Sequence, residues 1–168
     1  MNSDSRGGGE PTVVEPGGGT HLRIGANQIT LKVTSAQGEK FALAEYHVAP
    51  RFAAPPVLHH HTREDWAAYV VEGEVTFVFP EREVCAPAGT TVFIPAEADF
   101  AWRNDRDEAA RYLAIYAPAG FEQFFLELAS AITAGGAPTP EVMRQVIPPL
   151  WAKYEVRPQA VPGPRLQE

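Results

Sequence analysis

Three of the five histidines in this 168-residue chain stand together, His59-His60-His61, within the stretch LHHHTREDWAAYVVEGEV that runs from Leu58 to Val75. Imidazole is the commonest metal ligand and the one side chain that ordinarily titrates near neutrality, so metal or acid–base chemistry is expected here first. On a strand, residues two apart share a face, which sends His59 and His61 one way and His60 the other. Such a pair suits two ligands, or an acid and a base, projecting into a barrel mouth. The plainer reading is that the imidazoles hydrogen-bond loop backbone. Glu64 and Asp65, beside Arg63, read as solvated charges.

The elements that must position this pair are short. From His21 onward the chain alternates apolar and β-branched residues with turn signals: strands are expected near 22–24, 29–33, 41–48, 66–71, 75–79, 82–85, 91–94, 100–103 and 111–116. Pro55-Pro56 leads into the histidines, Glu72-Gly73 and Pro80-Glu81 mark turns, and no helix interrupts the series. That pattern predicts an all-β fold, an antiparallel sandwich or barrel of the jelly-roll kind. After Pro118 the period changes. Phe121, Phe124, Phe125, Leu128 and Ile132 recur at helical spacing, Glu122, Gln123, Glu127 and Ser130 fall between them, and Gly135-Gly136 ends the run, giving a helix over 120–134. Thr139 as N-cap, Pro140 at the first position and Glu141 in the first turn start a second helix over 139–147, which Pro148-Pro149 should stop. Both helices are expected on the outside of the barrel, through Phe121, Phe124, Phe125 and Leu128.

Residues 1–20, rich in Gly, Pro and Glu, read as a flexible arm, with Thr12-Val13-Val14 as an alternative edge strand for a partner subunit; residues 21–155 read as one domain and 156–168 as a fraying tail. With 14 Lys+Arg against 21 Asp+Glu the formal charge is −7, and the arginines are scattered among acids, which argues against nucleic acid. No apolar run approaches the ~18 residues of a membrane span. The polar N-terminus and the lone Cys85 point to a cytoplasmic protein.

Beyond pattern, PPVLHHHTREDWAAYVVEG resembles the first motif of the cupins, and GTTVFIPAEADFAWRN resembles their second, with Gly73, Gly89, Pro95 and Asn104 in register. APAGFEQFF is similar to the start of the C-terminal helix in small quercetin-dioxygenase-like cupins. The resemblance covers about Ile29 to Tyr154 and implies a cupin barrel that commonly pairs into a homodimer. In that frame the family's metal-binding glutamate position holds Trp66, its last histidine position holds Phe100, and the second-motif glycine is Glu97. Only His59 and His61 remain of the metal set, so a divalent metal (Fe, Mn, Ni, Cu or Zn) would be bound weakly and no cofactor is firmly implied. Asp65, Glu45 or His47 are the candidates for a third ligand.

Trp66, Phe100 and Trp102, with Tyr46 and Tyr69, then read either as core or as a flat wall for a hydrophobic or aromatic small molecule, with His59 and His61 as the catalytic groups. Three functions follow as expectations. The first is an isomerase, cyclase or lyase working without a tightly held metal; the second is a metal-dependent quercetin-dioxygenase-like oxygenase; the third is a non-catalytic ligand-binding barrel.

Overall fold

The structure, a computed structural model, describes residues 10–52 and 57–159. Period-two alternation builds β1 (Thr20–Ile24), β2 (Asn27–Val33) and β3 (Ala42–Val48); in β3, Ala42, Ala44, Tyr46 and Val48 are buried and the residues between them face outward. The histidines form β4 (His59–His61), followed by β5 (Asp65–Glu72), β6 (Glu74–Phe79), β7 (Arg82–Pro87), β8 (Thr91–Ile94), β9 (Ala101–Arg103) and β10 (Ala110–Ala117). One antiparallel sheet has the order β1-β2-β3-β10-β5-β8. Opposite it lie β7-β6-β9 and the pair of β4 with β11 (Val156–Pro158). A bridge between His59 and Phe100, with backbone hydrogen bonds of 3.0 and 2.9 Å, joins these two pieces. The second layer therefore reads β7-β6-β9-β4-β11, and the molecule is the antiparallel jelly roll with C-terminal helices that the strand pattern predicted.

Two positions fix the register around the histidines. Gly73, in the β5–β6 turn, has φ +72°, and a Cβ there would lie 2.7 Å from the Ala109 carbonyl oxygen, so only glycine fits. Glu97, where the resembling motif has glycine, likewise adopts a left-handed φ of 67°, and its N–H donates to the His61 carbonyl at 2.7 Å. The turn is thus tied to the histidine strand.

Several expectations need correction. α1 (Glu122–Gly135) buries the anticipated stripe, but Glu122 is buried too: its carboxylate accepts the Ser35 N–H (2.8 Å) and the Gly120 N–H (2.6 Å). α2 (Pro140–Lys153) starts at the expected cap, with Thr139 accepting from Val142, yet continues through Pro148-Pro149. Prolines there cost two backbone donors, and tertiary contacts outweigh that loss: Ile147, Leu150 and Trp151 pack on the core, and Lys153 and Tyr154 both reach Glu127 of α1. Neither helix merely decorates the barrel: the stripe of α1 is buried against the barrel lining, and the partly buried Ile147 and Trp151 of α2 line the same interior.

The expected fraying tail is also ordered where it is described. Val156–Pro158 pairs antiparallel with His61–His59, and Val156 is buried. Unpaired strand edges favour such an addition, and β4 would otherwise have one. At the other end, residues 10–19 form no strand, Val13 being 78% exposed, while Lys32 donates to the Gly18 carbonyl at 2.8 Å. The remainder of the expected arm (1–9), Pro55-Pro56 and the rest of the tail (160–168) lie outside the described residues. No helix among the described residues is long and apolar enough to cross a membrane.

Candidate functional site

Between the sheets and the two helices lies a cavity of about 210 Å³. β4 contributes His59 and His61 to it; the barrel contributes Ile29, Tyr46, Trp66, Phe100, Trp102 and Tyr116; the helical side contributes Phe121, Phe124, Phe125, Leu128, Ile147 and Trp151. No Lys, Arg, Asp or Glu is among its lining residues. Trp66 and Phe100 stack on each other at 4.8 Å between centroids and are 2% and 3% exposed. They wall the space without filling it.

The two imidazoles face one cavity, as period two requires, with ring centroids 5.8 Å apart. His60 points away and pairs with Asp99 at 2.8 Å. His59 lies between Phe100 (4.8 Å) and Trp151 (5.4 Å), and its Nδ1–H donates to the Val57 carbonyl at 3.1 Å. Burial, the largest cause, lowers its pKa to about 4, so His59 is a neutral imidazole at pH 7. His61 is 5% exposed, edge-on to Phe121 at 4.3 Å.

Tyr46 and Tyr116 hydrogen-bond each other through their hydroxyls at 2.5 Å, and Tyr112 stacks beneath Tyr46 at 4.5 Å. Burial pushes all three phenols above their ordinary range, and the Glu64 carboxylate adds to the effect on Tyr116. They stay protonated, able to donate a hydrogen bond rather than to carry charge.

Of the other sequence candidates, Tyr69 does not reach the cavity: it is 47% exposed, because Trp66, Ala68 and Val70 take the inner face of β5 and an odd offset turns Tyr69 outward. Asp65 lies on that outer face as well, its Oδ1 accepting the Ala96 N–H at 2.9 Å. Glu45 and His47 face outward from β3, on the side opposite Tyr46. Glu45 is held by Arg111 (2.9 Å) and Lys32 (3.2 Å), whose bonds outweigh the effect of burial and keep its carboxyl below the usual range. None of the three can join His59 and His61. Among the described residues no group of three or more His, Cys, Asp or Glu converges as a metal site. Two imidazoles walled by Trp66 and Phe100 are too few for the three protein ligands typical of catalytic zinc, or for a two-His-one-carboxylate iron site, so the donor set does not fit a tightly held metal.

Glu64 is what sequence reasoning missed. Expected in solvent, it is 3% exposed, with its Oε2 3.5 Å from His61 Nδ1. The signal was present: Glu64 precedes Trp66 by two and so shares its inward parity.

Residues 44–116 match the family model described as Cupin domain. Solved structures agree with it in fold. The polyketide cyclase RemF from Streptomyces resistomycificus is 22% identical, with 64% of this chain and 80% of that one covered and a TM-score of 0.55. A predicted oxalate decarboxylase from Thermotoga maritima is 21% identical over 64% and 99%, TM-score 0.57. A sugar phosphate isomerase of the cupin superfamily from Silicibacter pomeroyi is 18% identical over 63% and 75%, TM-score 0.55. A comparison with curated protein sequences gives no match.

Proposed function

We propose that this protein is a small-molecule enzyme of the isomerase, cyclase or lyase kind, acting on a neutral hydrophobic or aromatic molecule with His61 as general base and without a tightly held metal. The observation that carries this reading is the aromatic cavity that presents two imidazoles and no charged side chain. An apolar cavity of ~150 Å³ is known to hold benzene, so about 210 Å³ suits one ring or two fused rings lying flat against Trp66 and Phe100. Sugar phosphate and oxalate, named for two proteins of this fold, are anions, and this cavity offers no cation to receive them. A polyketide, named for the third, is nearer in chemistry.

In this reading the substrate is oriented by the aromatic walls. His61 Nε2 takes a proton from carbon, and the Tyr46–Tyr116 hydroxyl pair donates a hydrogen bond to the oxygen on which charge develops. Returning the proton at another atom gives an isomer; expelling a leaving group gives lyase chemistry. His59, kept neutral, contributes a flat polar wall.

The test is turnover of neutral phenolic and polyketide-like compounds of one or two rings. Activity that persists in EDTA and falls ~10²- to 10⁴-fold in His61→Ala is the expected result. Loss in EDTA overturns it, and binding with no turnover in wild type identifies a ligand-binding barrel instead.

The chain also pairs into a homodimer in this reading. Leu43, Ile115, Ala67 and Phe93 form one row in register across β3, β10, β5 and β8, and Ile115 and Phe93 are 41% and 63% exposed.

A further inference from the structure

We propose that Glu64 is the positioning residue of His61, accepting the Nδ1–H from behind so that the Nε2 lone pair is the one that faces the cavity. This rests on the reading of His61 as the base and adds the residue that sets its tautomer.

Four sealed polar atoms have no hydrogen-bond partner among the described residues: His61 Nδ1, Glu64 Oε2, Trp66 Nε1 and Tyr112 Oη. Two of these face each other. His61 Nδ1 and Glu64 Oε2 are 3.5 Å apart, with side chains 5% and 2% exposed. A buried carboxylate oxygen without a donor is costly, and so is a buried imidazole nitrogen without a partner. With the Glu64 carboxyl ionised, one proton placement relieves both. If Nδ1 carries the hydrogen, it donates to Oε2; if Nε2 carries it, the Nδ1 lone pair confronts the carboxylate lone pairs in a site closed to water. The separation is that of a contact which tightens when charge develops on the ring, as loose hydrogen bonds in unliganded sites do.

Position supports the same division of labour. Glu64 is not among the residues that line the cavity, whereas His61 is, so the order from the outside in is carboxylate, imidazole, open space. Asp65 is spent on the Ala96 N–H, leaving Glu64 as the acid of this turn that is directed inward. A proton taken from substrate carbon then resides on Nε2, the ring becomes imidazolium, and the Nδ1–H···Oε2 contact becomes an ion pair that stabilises it until the proton returns. His59 has the same tautomer set by a neutral carbonyl, at 3.1 Å, and therefore lacks that stabilisation. Two imidazoles on one strand face thus acquire different roles from what stands behind each.

The test needs no substrate. In the full chain labelled with ¹⁵N-histidine, nitrogen–carbon-bound-proton correlation spectra report which ring nitrogen of each neutral histidine holds the proton. The expected result is at least a tenfold preference of His61 for Nδ1–H in wild type. Glu64→Leu, which removes the acceptor, should abolish that preference, and Glu64→Gln, whose amide can donate as well as accept, should weaken it. A wild-type His61 protonated at Nε2 overturns the proposal, as does a Glu64→Leu variant with its tautomer unchanged. The wild-type spectrum alone decides the point if Glu64→Leu does not fold. Failure of the enzyme reading would appear separately, as turnover indifferent to His61→Ala.

Discussion

His59 and His61 share a strand face and a cavity, but different groups stand behind them: the Val57 carbonyl at 3.1 Å and the Glu64 carboxylate at 3.5 Å. Burial among aromatic rings favours the neutral form of His59 and outweighs the opposing hydrogen bond to the Val57 carbonyl, which leaves its pKa lowered from 6.5 to about 4. An unfolded chain binds a proton at this residue below pH 6.5, and the folded chain does so only below about 4, so stability falls as pH drops across that window. The loss amounts to at most on the order of 3 kcal/mol. We expect His59→Gln to flatten the decline in urea midpoint between pH 6.5 and 4 relative to wild type; an unchanged slope would show that His59 is not the group responsible. The pairing of the two imidazoles was legible in the sequence, because period two is a geometric property of any strand. Glu64 was legible only through the inward parity of Trp66 two residues on, a signal masked by the flanking charges Arg63 and Asp65.

At the level of elements, the strand pattern carried nearly all the information about the sheets, and the helices carried less. The stripe from Phe121 to Ile132 announced α1, yet Glu122 looks like a surface residue in that pattern and is instead a buried clamp on Ser35 and Gly120. Burial alone would raise its carboxyl, but the Ser35 and Gly120 donors win and hold it below the usual carboxylate range. Its contribution is therefore present above the unfolded value of 4.5 and is lost as pH falls through the lower, folded value. Glu122→Ala should cost about 2 kcal/mol at pH 7 by leaving two backbone donors unpaired, with a smaller difference from wild type at pH 3, both read from chemical denaturation. A difference that grows in acid would contradict this assignment. The end of α2 was misjudged for a related reason. Local propensity forbids Pro148-Pro149 in a helix interior, whereas contacts with residues far away in the chain, such as Glu127 with Lys153, are invisible to a local rule.

At the scale of the whole molecule, the jelly roll follows from short alternating strands with frequent turns, and the positive φ at Gly73 and Glu97 accounts for how the motif frame sets its register. What pattern could not give is whether aromatics at Trp66 and Phe100 fill or line the interior, since both outcomes require the same residue types. The outer face of the six-stranded sheet raises the question of self-association. Sedimentation or light scattering should give a dimer mass for wild type, and Phe93→Glu with Ile115→Glu should shift it toward the monomer while the cavity is untouched. A monomeric wild type would remove the homodimer from the account.

The pairing of β11 with β4 has one more consequence, which concerns time rather than space. Val156–Pro158 is synthesised after every other described element, and it supplies the second edge of the strand that holds both imidazoles. As the chain emerges, the strands of the six-stranded sheet and of β7-β6-β9 are all available before it. The barrel can therefore assemble while its histidine strand is still paired along one edge, and β11 completes that strand last.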